Sequence, residues 1–462
     1  MRQPAPVPTT VSTDASLRID YLRLTNYRCF ADLEISFDPR LTVLVANNGQ
    51  GKTAVLDAIA TALGPFVGAF DDGKDRAFER DDIRLLRAGD SNRMELADGG
   101  VKLEAMGVVN YEIASWKRQL AGPKSRTTRK DAQVLTAAGK RLQSQVRQET
   151  EAMTTGTCLP IVAYYPTDRL WNLRRVPYKA LPRTSRMVGY THCLESGSDF
   201  HLMADWFRYW SYSALERRLK AQQEGRNPYS SEPDYALEAV RTAINLCLEP
   251  SGWGDMDFSI ERQEIVARHP LNGQLPVAML SDGIRSMLTL VADIAFRTVK
   301  LNPNLGPLAA TETDGIVLID EVDMHLHPAW QQTVLTSLMD AFPRIQFIVT
   351  THSPQVLSTV RRKCVRLLSR DSASNSVASQ PIANTYGEPA GDVLESVMHV
   401  DPQPPVPERE DLHRLTELID QGQYGLDEAM LLLTELKQSL GENHPQLQRL
   451  IRSVLRQKAL NK

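Results

Sequence analysis

The sequence has few cysteines, and no two of them are close together. It contains five in 462 residues, without any C-x-x-C spacing: Cys29, Cys158, Cys193, Cys247 and Cys364. Disulfide frameworks and cysteine-rich zinc sites need clustered cysteines, so we expect reduced, mostly buried thiols in a cytoplasmic protein. Because no apolar run approaches the ~18 residues of a membrane span, we expect no membrane-spanning segment.

A strong excess of charge of either sign is also absent. The formal net charge is −3, with 24% charged and 42% hydrophobic residues. This ordinary globular mixture gives no overall sign of a nucleic-acid binder, although a local basic face is compatible with it. Residues 1–16 are rich in Pro, Ser and Thr and lack the apolar core of a secretory signal, which predicts a disordered tail.

A glycine-containing turn separates an apolar run, residues 41–46, from a helical pattern. The turn fits the phosphate-binding loop G-x-x-x-x-G-K-[ST], with alanine at the first glycine: Ala46, Asn47, Asn48, Gly49, Gln50, Gly51, Lys52 and Thr53. Gly49 and Gly51 let backbone N–H groups curl around a phosphate, and the following helix, from Ala54 onward, directs its positive end at the same anion. In such loops the lysine reaches the β- and γ-phosphates and the hydroxyl binds Mg²⁺. The turn therefore predicts an ATP–Mg²⁺ site, with these residues and Ala54 binding nucleotide and Lys52 also catalytic.

Two later strand ends carry polar residues that complete such a site. The run IVLIDEVD places Asp320 as a Mg²⁺ ligand and Glu321 as the catalytic base that polarises the attacking water. In IVTTHSP, His352 ends the next predicted strand and is expected to contact the γ-phosphate. His325 and His327 form an H-x-H pair with no further ligand nearby in sequence, so we favour capping and loop packing over a metal site.

A serine-glycine turn precedes a long helical pattern at residues 278–295. Ser281, Asp282 and Gly283 follow Leu280, and the serine, the glycine backbone and the helix N-terminus could meet a phosphate from the far side. One chain cannot easily close both halves around one nucleotide. We therefore expect a head-to-tail dimer, or a higher even assembly, in which each serine-glycine turn faces the partner's Lys52.

Together, these motifs resemble the heads of ABC ATPases. The segments LTNYRCFADLEISFD and DEVDMHLHP…THSP are similar to the SMC/RecF/OLD branch rather than to transporters. The resemblance implies an α/β fold, a mixed sheet with a P-loop core, and it places Asn26 and Arg28 near the nucleotide. Ile284 stands where the family has Gln or Glu, and no Gln loop is evident, with Asp82 the nearest candidate.

Other family features are missing. Between Thr53 and Ser281 there are no sustained heptads, which argues against a long SMC-type coiled coil. The residues after His352 predict helices and contain no D-x-D cluster at a strand end, so we expect no nuclease domain.

Beyond the superfamily, the chain resembles the PtuA-type ATPases of Septu and retron-associated antiphage systems. The resemblance rests on these segments: AYYPTDRLW, GYTHCLESGSDFHLMADWF, LSDGIRSML, DEVDMHLHP, TYGEPAGDVLESVM and LTELIDQGQYGLDEAMLLLTELKQSLGENHP. It implies a partner HNH nuclease of the PtuB type and, in a retron setting, a reverse transcriptase with its RNA–DNA.

We expect five segments along the chain. They are the tail 1–16, an N-terminal ATPase lobe 17–110, a mainly helical insertion 111–260, a C-terminal ATPase lobe 261–400 and a helical C-terminal segment 401–462. Within the insertion, residues 117–147 are rich in Lys and Arg, which fits either a solvated helix pair or mobile insert, or a nucleic-acid contact.

Two alternative functions remain at this stage. One is a stand-alone ATPase acting on DNA or DNA ends in the manner of RecF or OLD proteins. The other is a scaffold gated by ATP with negligible turnover.

Overall fold

The computed structural model describes residues 14–87, 93–154, 156–167, 185–195, 200–225, 231–371 and 375–460. The chain divides into two compact units, Met1–Val393 and Leu394–Lys462. Numbered in chain order, the strands are β1 (Leu17–Tyr27), β2 (Phe30–Ser36), β3 (Leu41–Val45), β4 (Leu85–Arg87), β5 (Met94–Leu96), β6 (Val101–Val109), β7 (Glu112–Leu120), β8 (Ile161–Tyr165), β9 (Gly254–Ser259), β10 (Glu264–His269), β11 (Gly273–Pro276), β12 (Gly315–Ile319), β13 (Ile345–Thr350), β14 (Val365–Arg370) and β15 (Ser376–Ser379). The helices are α1 (Lys52–Val67), α2 (Gln133–Ala152), α3 (Phe200–Gln223), α4 (Glu232–Leu248), α5 (Asp282–Leu301), α6 (Ala309–Glu312), α7 (Pro328–Gln331), α8 (Val334–Ala341), α9 (Pro354–Leu357), α10 (Ala390–Ser396), α11 (Arg409–Asp420), α12 (Asp427–Leu440) and α13 (Pro445–Leu460).

A six-stranded sheet forms the centre of the first unit, in the order β15-β14-β3-β13-β12-β8. All neighbouring pairs in it are parallel except β14–β15. Every residue of β3, β8, β12 and β13 is buried, as expected for parallel strands covered on both faces. The carboxyl ends of these four strands consequently meet at one edge of the sheet.

Helix α1 packs against this sheet and is buried on all sides. Only Thr53 among its sixteen residues is not buried. A helix buried all round belongs to the core, so α1 is fixed in place by its surroundings. Trp116 adds to that restraint, because its indole N–H donates to the Ala62 carbonyl at 3.0 Å.

A second, antiparallel sheet has the order β2-β1-β6-β7. It includes β7, whose residues we expected in a mainly helical insertion. That expectation is wrong for Glu112–Leu120, where exposed and buried residues largely alternate. The insertion is interrupted again by β8, which pairs with β12 in the central sheet. The same range also contains the helices α2, α3 and α4.

The basic segment does not behave as one solvated surface. Arg118 is 1% exposed, and its guanidinium binds the Asp75 carboxylate and the Thr61 carbonyl at 2.9 and 2.7 Å. Arg129 reaches the same carboxylate, and Lys117 pairs with Glu104 across the β6–β7 ladder. Part of the positive charge of the segment is therefore neutralised by acids elsewhere in the fold.

Ordered structure begins inside the segment 1–16 that we predicted to be a disordered tail. Residues 1–13 lie outside the described part, but Ser16 is buried and donates from its N–H and its hydroxyl to the Asp314 carboxylate, at 2.6 and 2.7 Å. The prediction of a disordered tail is therefore wrong at Ser16, which is anchored beside the start of β12.

The second unit contains the helices α11, α12 and α13. Their buried residues form a small core: Leu412, Leu415, Leu418, Ile419, Ala429, Leu436, Leu447 and Leu450. Leu455 of α13 is 61% exposed and lies outside that core. None of the helices within the described ranges is long and apolar enough to cross a membrane.

Candidate nucleotide-binding site

The phosphate loop connects β3 to α1 with two left-handed glycines. Gly49 has φ +76° and Gly51 has φ +91°, a region that L side chains rarely adopt. A Cβ at Gly51 would also collide with the ring of Phe30 and lie 2.6 Å from the Cys29 sulfur. The β1–β2 turn therefore presses against the loop, and glycine is required there by both conformation and space.

The loop exposes the groups that a phosphate would need. Asn47, Asn48 and Gly49 are exposed, while the Gln50 side chain accepts a hydrogen bond from the Asn47 N–H at 3.3 Å. Lys52 is buried, and its ammonium group donates to the Ala46 carbonyl at 2.9 Å. This contact uses a backbone oxygen and does not depend on the side chain, so alanine at the first glycine position is compatible with it.

Burial lowers the pKa of Lys52, and the nearby carboxylates of Asp320, Glu321 and Asp323 partly oppose that shift. A partly desolvated ammonium group interacts strongly with a phosphate, because water screens the attraction less. This supports the predicted role of Lys52 at the phosphates.

Asp320 is the centre of a hydroxyl cluster at the end of β12. It is 1% exposed, and its Oδ2 accepts from the hydroxyls of Thr53 and Thr167 at 2.7 and 3.1 Å. Its Oδ1 accepts from the Thr350 hydroxyl at 2.5 Å. The aspartate thus joins the first residues of α1 to the ends of β8 and β13.

These residues have the chemistry that Mg²⁺ requires. Mg²⁺ prefers oxygen ligands and is usually held by one or two carboxylates together with waters and substrate phosphates. The Asp320 carboxylate and the Thr53 hydroxyl, in direct contact beside the exposed loop, supply such a set. They fit the predicted metal ligands.

Glu321 and His352 lie at the ends of neighbouring strands. Glu321 has φ +46°, an uncommon value for a residue other than glycine, and its N–H donates to the Thr350 hydroxyl at 2.7 Å. The strained backbone directs the chain away from β12 immediately after Asp320. His352 is half-buried and lies two residues beyond β13, which is the strand between β3 and β12 in the sheet. The sheet thus brings the strand ends of Lys52, Asp320, Glu321 and His352 to one edge.

The serine-glycine turn begins α5. Ser281 and Asp282 are exposed, and the Ser281 side chain makes no capping hydrogen bond to the helix. Gly283 is buried, and a Cβ there would collide with the backbone carbonyl of His325. The glycine is therefore required by close packing within the chain.

Asn26 and Arg28 both have positive φ and flank the turn that contacts the loop. The Arg28 guanidinium binds Asp57 of α1 at 2.5 Å and Asp82 at 2.8 Å, while the Asn26 amide donates to the Asp98 carbonyl. Arg28 is thus engaged with the phosphate-loop helix by way of Asp57. Asp82, the candidate for the Gln loop, is also occupied by the Glu79 N–H and closes a short turn.

The H-x-H pair has local structural roles. His327 caps α7, with its Nδ1 accepting from the Ala329 N–H at 3.3 Å, and His325 supplies the carbonyl that packs on Gly283. Within the described ranges, no three His, Cys, Asp or Glu side chains are grouped to hold a metal.

Thr167, like Thr350, is a site residue that the sequence did not reveal. It follows β8, the strand beside β12, and its partner Asp320 lies 153 positions later. The available signal was a hydroxyl two positions after a strand whose residues are all buried. That signal becomes useful only once the neighbour of the strand is known.

The fold and the site define an ABC-type ATPase head. Residues 21–227 match an AAA domain family model, and residues 260–358 match a second AAA domain model. The chain is 27% identical to "Retron Vc95 probable ATPase" of Vibrio cholerae serotype O1 biovar El Tor, over 89% of this chain and 85% of that protein. It is 26% identical to "Retron Ec83 probable ATPase" of Escherichia coli, over 92% and 84% respectively. A shorter match, 44% identical over 16% of this chain and 10% of the relative, is to Septu protein PtuA of Bacillus mycoides (strain KBAB4). The chain is thus similar over most of its length to probable ATPases of retrons, and over a shorter stretch to a Septu PtuA protein.

Proposed function

We propose that this chain is the ATPase subunit of an antiphage defence complex. It binds ATP–Mg²⁺ between two copies arranged head to tail and thereby controls a partner HNH nuclease of the PtuB type. The names of the relatives support membership of a multi-component system. The observation that carries the ATP site is the Thr53–Asp320 hydrogen bond of 2.7 Å between motifs 267 positions apart.

Each residue of the site has a defined chemical task. Lys52 and the loop N–H groups bind the β- and γ-phosphates, while Thr53 and Asp320 hold the cation. Mg²⁺, when bound, offsets the negative charge of the phosphates. Glu321 accepts the proton of the attacking water, and His352 donates a hydrogen bond to the γ-phosphate.

The second half of the site comes from the partner copy. In one chain Ser281 and Asp282 are exposed at a helix N-terminus, and the Ser281 hydroxyl is not used as a cap. An N-terminus with available N–H groups is suited to a phosphate. We propose that this turn closes on the nucleotide held by Lys52 of the other copy.

A mixing experiment tests the composite site. Lys52→Ala removes one half of each site and Ser281→Arg blocks the other, so either variant alone should show no turnover. A mixed dimer contains one site with neither substitution, so mixing the two should restore ATPase activity. As a control, mixing Lys52→Ala with Lys52→Ala,Ser281→Arg leaves no intact site. Absence of restored activity, with mixed dimers demonstrated by differential tags, would refute the head-to-tail arrangement.

The nuclease partner is tested by co-expression with the neighbouring gene. We expect a stable complex that protects cells against phage, and loss of protection in Lys52→Ala. In a retron setting, we expect a reverse transcriptase and its RNA–DNA to co-purify. A chain that forms no complex and gives no protection would contradict the defence role.

A direct nucleic-acid contact is supported by part of the basic segment. Five exposed cations there have no acid partner among the described residues: Lys124, Arg126, Lys130, Lys140 and Arg141. Phosphate contacts by free cations make binding strongly salt-dependent. Replacing Lys124, Arg126 and Lys130 with Ala should therefore weaken DNA binding and flatten its salt dependence. Replacing the paired Lys117 and Arg147 is the matched control, since their charges are already opposed by Glu104 and Asp71.

The two alternatives give different results. A stand-alone ATPase of the RecF or OLD type would load onto or cut DNA without a partner protein. A scaffold without turnover would keep its biological activity in Glu321→Gln and lose it in Lys52→Ala, because only the second change removes nucleotide binding.

A further inference from the structure

Thr167 lies where the strand beside the Asp320 strand ends. Its hydroxyl is 3.1 Å from Asp320 Oδ2, the oxygen that also accepts from Thr53. The other carboxylate oxygen accepts from Thr350. Three hydroxyls from three different elements therefore surround one aspartate that is 1% exposed.

Strand pairing does not require this hydroxyl. β8 and β12 are in register from Ile161 through Tyr165, and the Asp320 N–H donates to the Tyr165 carbonyl at 2.8 Å. The backbone ladder thus extends one residue past β12 without using Thr167. The Thr167 hydroxyl contributes instead to the orientation of the carboxylate.

Its chemistry suits a site where a cation and its waters are bound. A hydroxyl that donates its proton to a carboxylate still has lone pairs for a water or a cation. Thr167 is half-buried, so part of its surface is accessible to solvent. Groups that orient metal ligands commonly change metal affinity when they are removed.

We propose that Thr167 is a positioning residue of the Mg²⁺ site, which fixes the Asp320 carboxylate from the β8 side while Thr53 faces it from α1. The inference rests on the proposed ATP–Mg²⁺ function. No Gln loop is evident in the sequence, and Thr167, at the end of β8, supplies a polar group to the metal site instead.

The experiment compares Thr167→Val, which removes the hydroxyl at nearly constant shape, with Thr167→Ser, which retains it. Full-length protein is titrated with a fluorescent ATP analogue, first in EDTA and then at increasing Mg²⁺. Thr167→Val should leave nucleotide affinity in EDTA unchanged and raise the Mg²⁺ concentration at half-effect about 10-fold. Thr167→Ser should remain close to the wild type. Electron paramagnetic resonance of Mn²⁺ bound with nucleotide provides a readout independent of turnover, and its spectrum should change in Thr167→Val alone.

Thr416→Val is the matched control, because Thr416 is also half-buried and donates one hydrogen bond, to the Leu412 carbonyl at 2.7 Å in α11. Thermal unfolding checks folding, and Thr167→Ala replaces Thr167→Val if the latter is unstable. An unchanged Mg²⁺ half-effect in Thr167→Val overturns the inference while leaving the ATP site intact. Failure of the wild type to bind ATP at any Mg²⁺ concentration refutes the proposed function itself.

Discussion

The two ends of the proposed nucleotide site are built in opposite ways. At the phosphate loop, Lys52 and Asp320 are buried, and hydrogen bonds join α1, β8, β12 and β13. At the serine-glycine turn, Ser281 and Asp282 are exposed, and only Gly283 is packed against the rest of the chain. One end is organised before any ligand arrives, whereas the other presents an open helix N-terminus.

This difference separates binding from closure. A preorganised end can hold Mg-ATP by itself, because its donors and its lysine are already positioned. The open end lacks such preparation, and in the proposed dimer it would meet the nucleotide that a second copy holds. Substitutions in the first end should therefore affect affinity or chemistry in a single chain, and those in the second should act through assembly.

The largest expected effect separates chemistry from binding within the buried end. Glu321→Gln removes the proton acceptor but keeps the size of the side chain, so ATP turnover should fall about 10²–10⁴-fold with little change in ATP affinity. Steady-state phosphate release and equilibrium nucleotide binding measure the two. The control is Glu410→Gln, at an exposed position in the first turn of α11. Equal loss of binding and turnover would show that Glu321 organises the site rather than acting as the base.

The second-largest effect is expected at Lys52, in the buried end of the site. Lys52→Ala removes a charged donor to the phosphates, and ATP affinity should fall about 100-fold. Isothermal titration calorimetry measures the change. Lys117→Ala, which removes a surface ion pair with Glu104, should leave affinity unaltered. Wild-type affinity in Lys52→Ala would mean that the nucleotide does not occupy this loop.

The third prediction concerns the packed residue of the open end. Gly283→Ala forces a Cβ against the His325 carbonyl, and this should lower the free energy of unfolding by about 1–3 kcal/mol. Denaturant unfolding measures it. Gly122→Ala is the control, since its nearest neighbour outside the adjacent residues is the Ser125 hydroxyl at 3.9 Å. A neutral Gly283→Ala would show that the turn can move away from His325.

The smallest effect is the pH dependence of nucleotide binding. Burial lowers the pKa of Lys52 below its usual value, and bound phosphate favours the charged form. Affinity is therefore complete below the pKa of the free protein's Lys52 and is lost as pH rises through it. Dissociation constants measured from about pH 7 to about pH 10 should rise before the ordinary lysine range is reached. Lys52→Arg keeps its charge throughout and should abolish this rise.

Local patterns predicted the elements of the site well. About ten residues are enough to recognise the phosphate loop and the strands that precede Asp320 and His352, because in each case an apolar strand comes before the polar group. The parallel pairing of β12 with β13 brings the ends of these two strands to the same edge of the sheet.

What could not be predicted depends on partners distant in the sequence. The buried residues of β7 are Trp116, Arg118 and Leu120. Because one of them is an arginine, the sequence of this strand looks like that of a solvated segment. The Asp75 that neutralises Arg118 lies 43 positions away. Thr167 was missed for the same reason, since a threonine after a strand acquires meaning only from the aspartate beside it.

The contact between Gly283 and His325 has a consequence for comparing relatives of this protein. Packing within one chain requires this glycine, and that requirement is the same whether or not the chain still cleaves ATP. Its presence in another sequence thus reports that the turn is folded, and says little about catalytic competence. In the proposed dimer, the exposed serine two positions earlier, free of such packing, would be the more informative marker of an active enzyme.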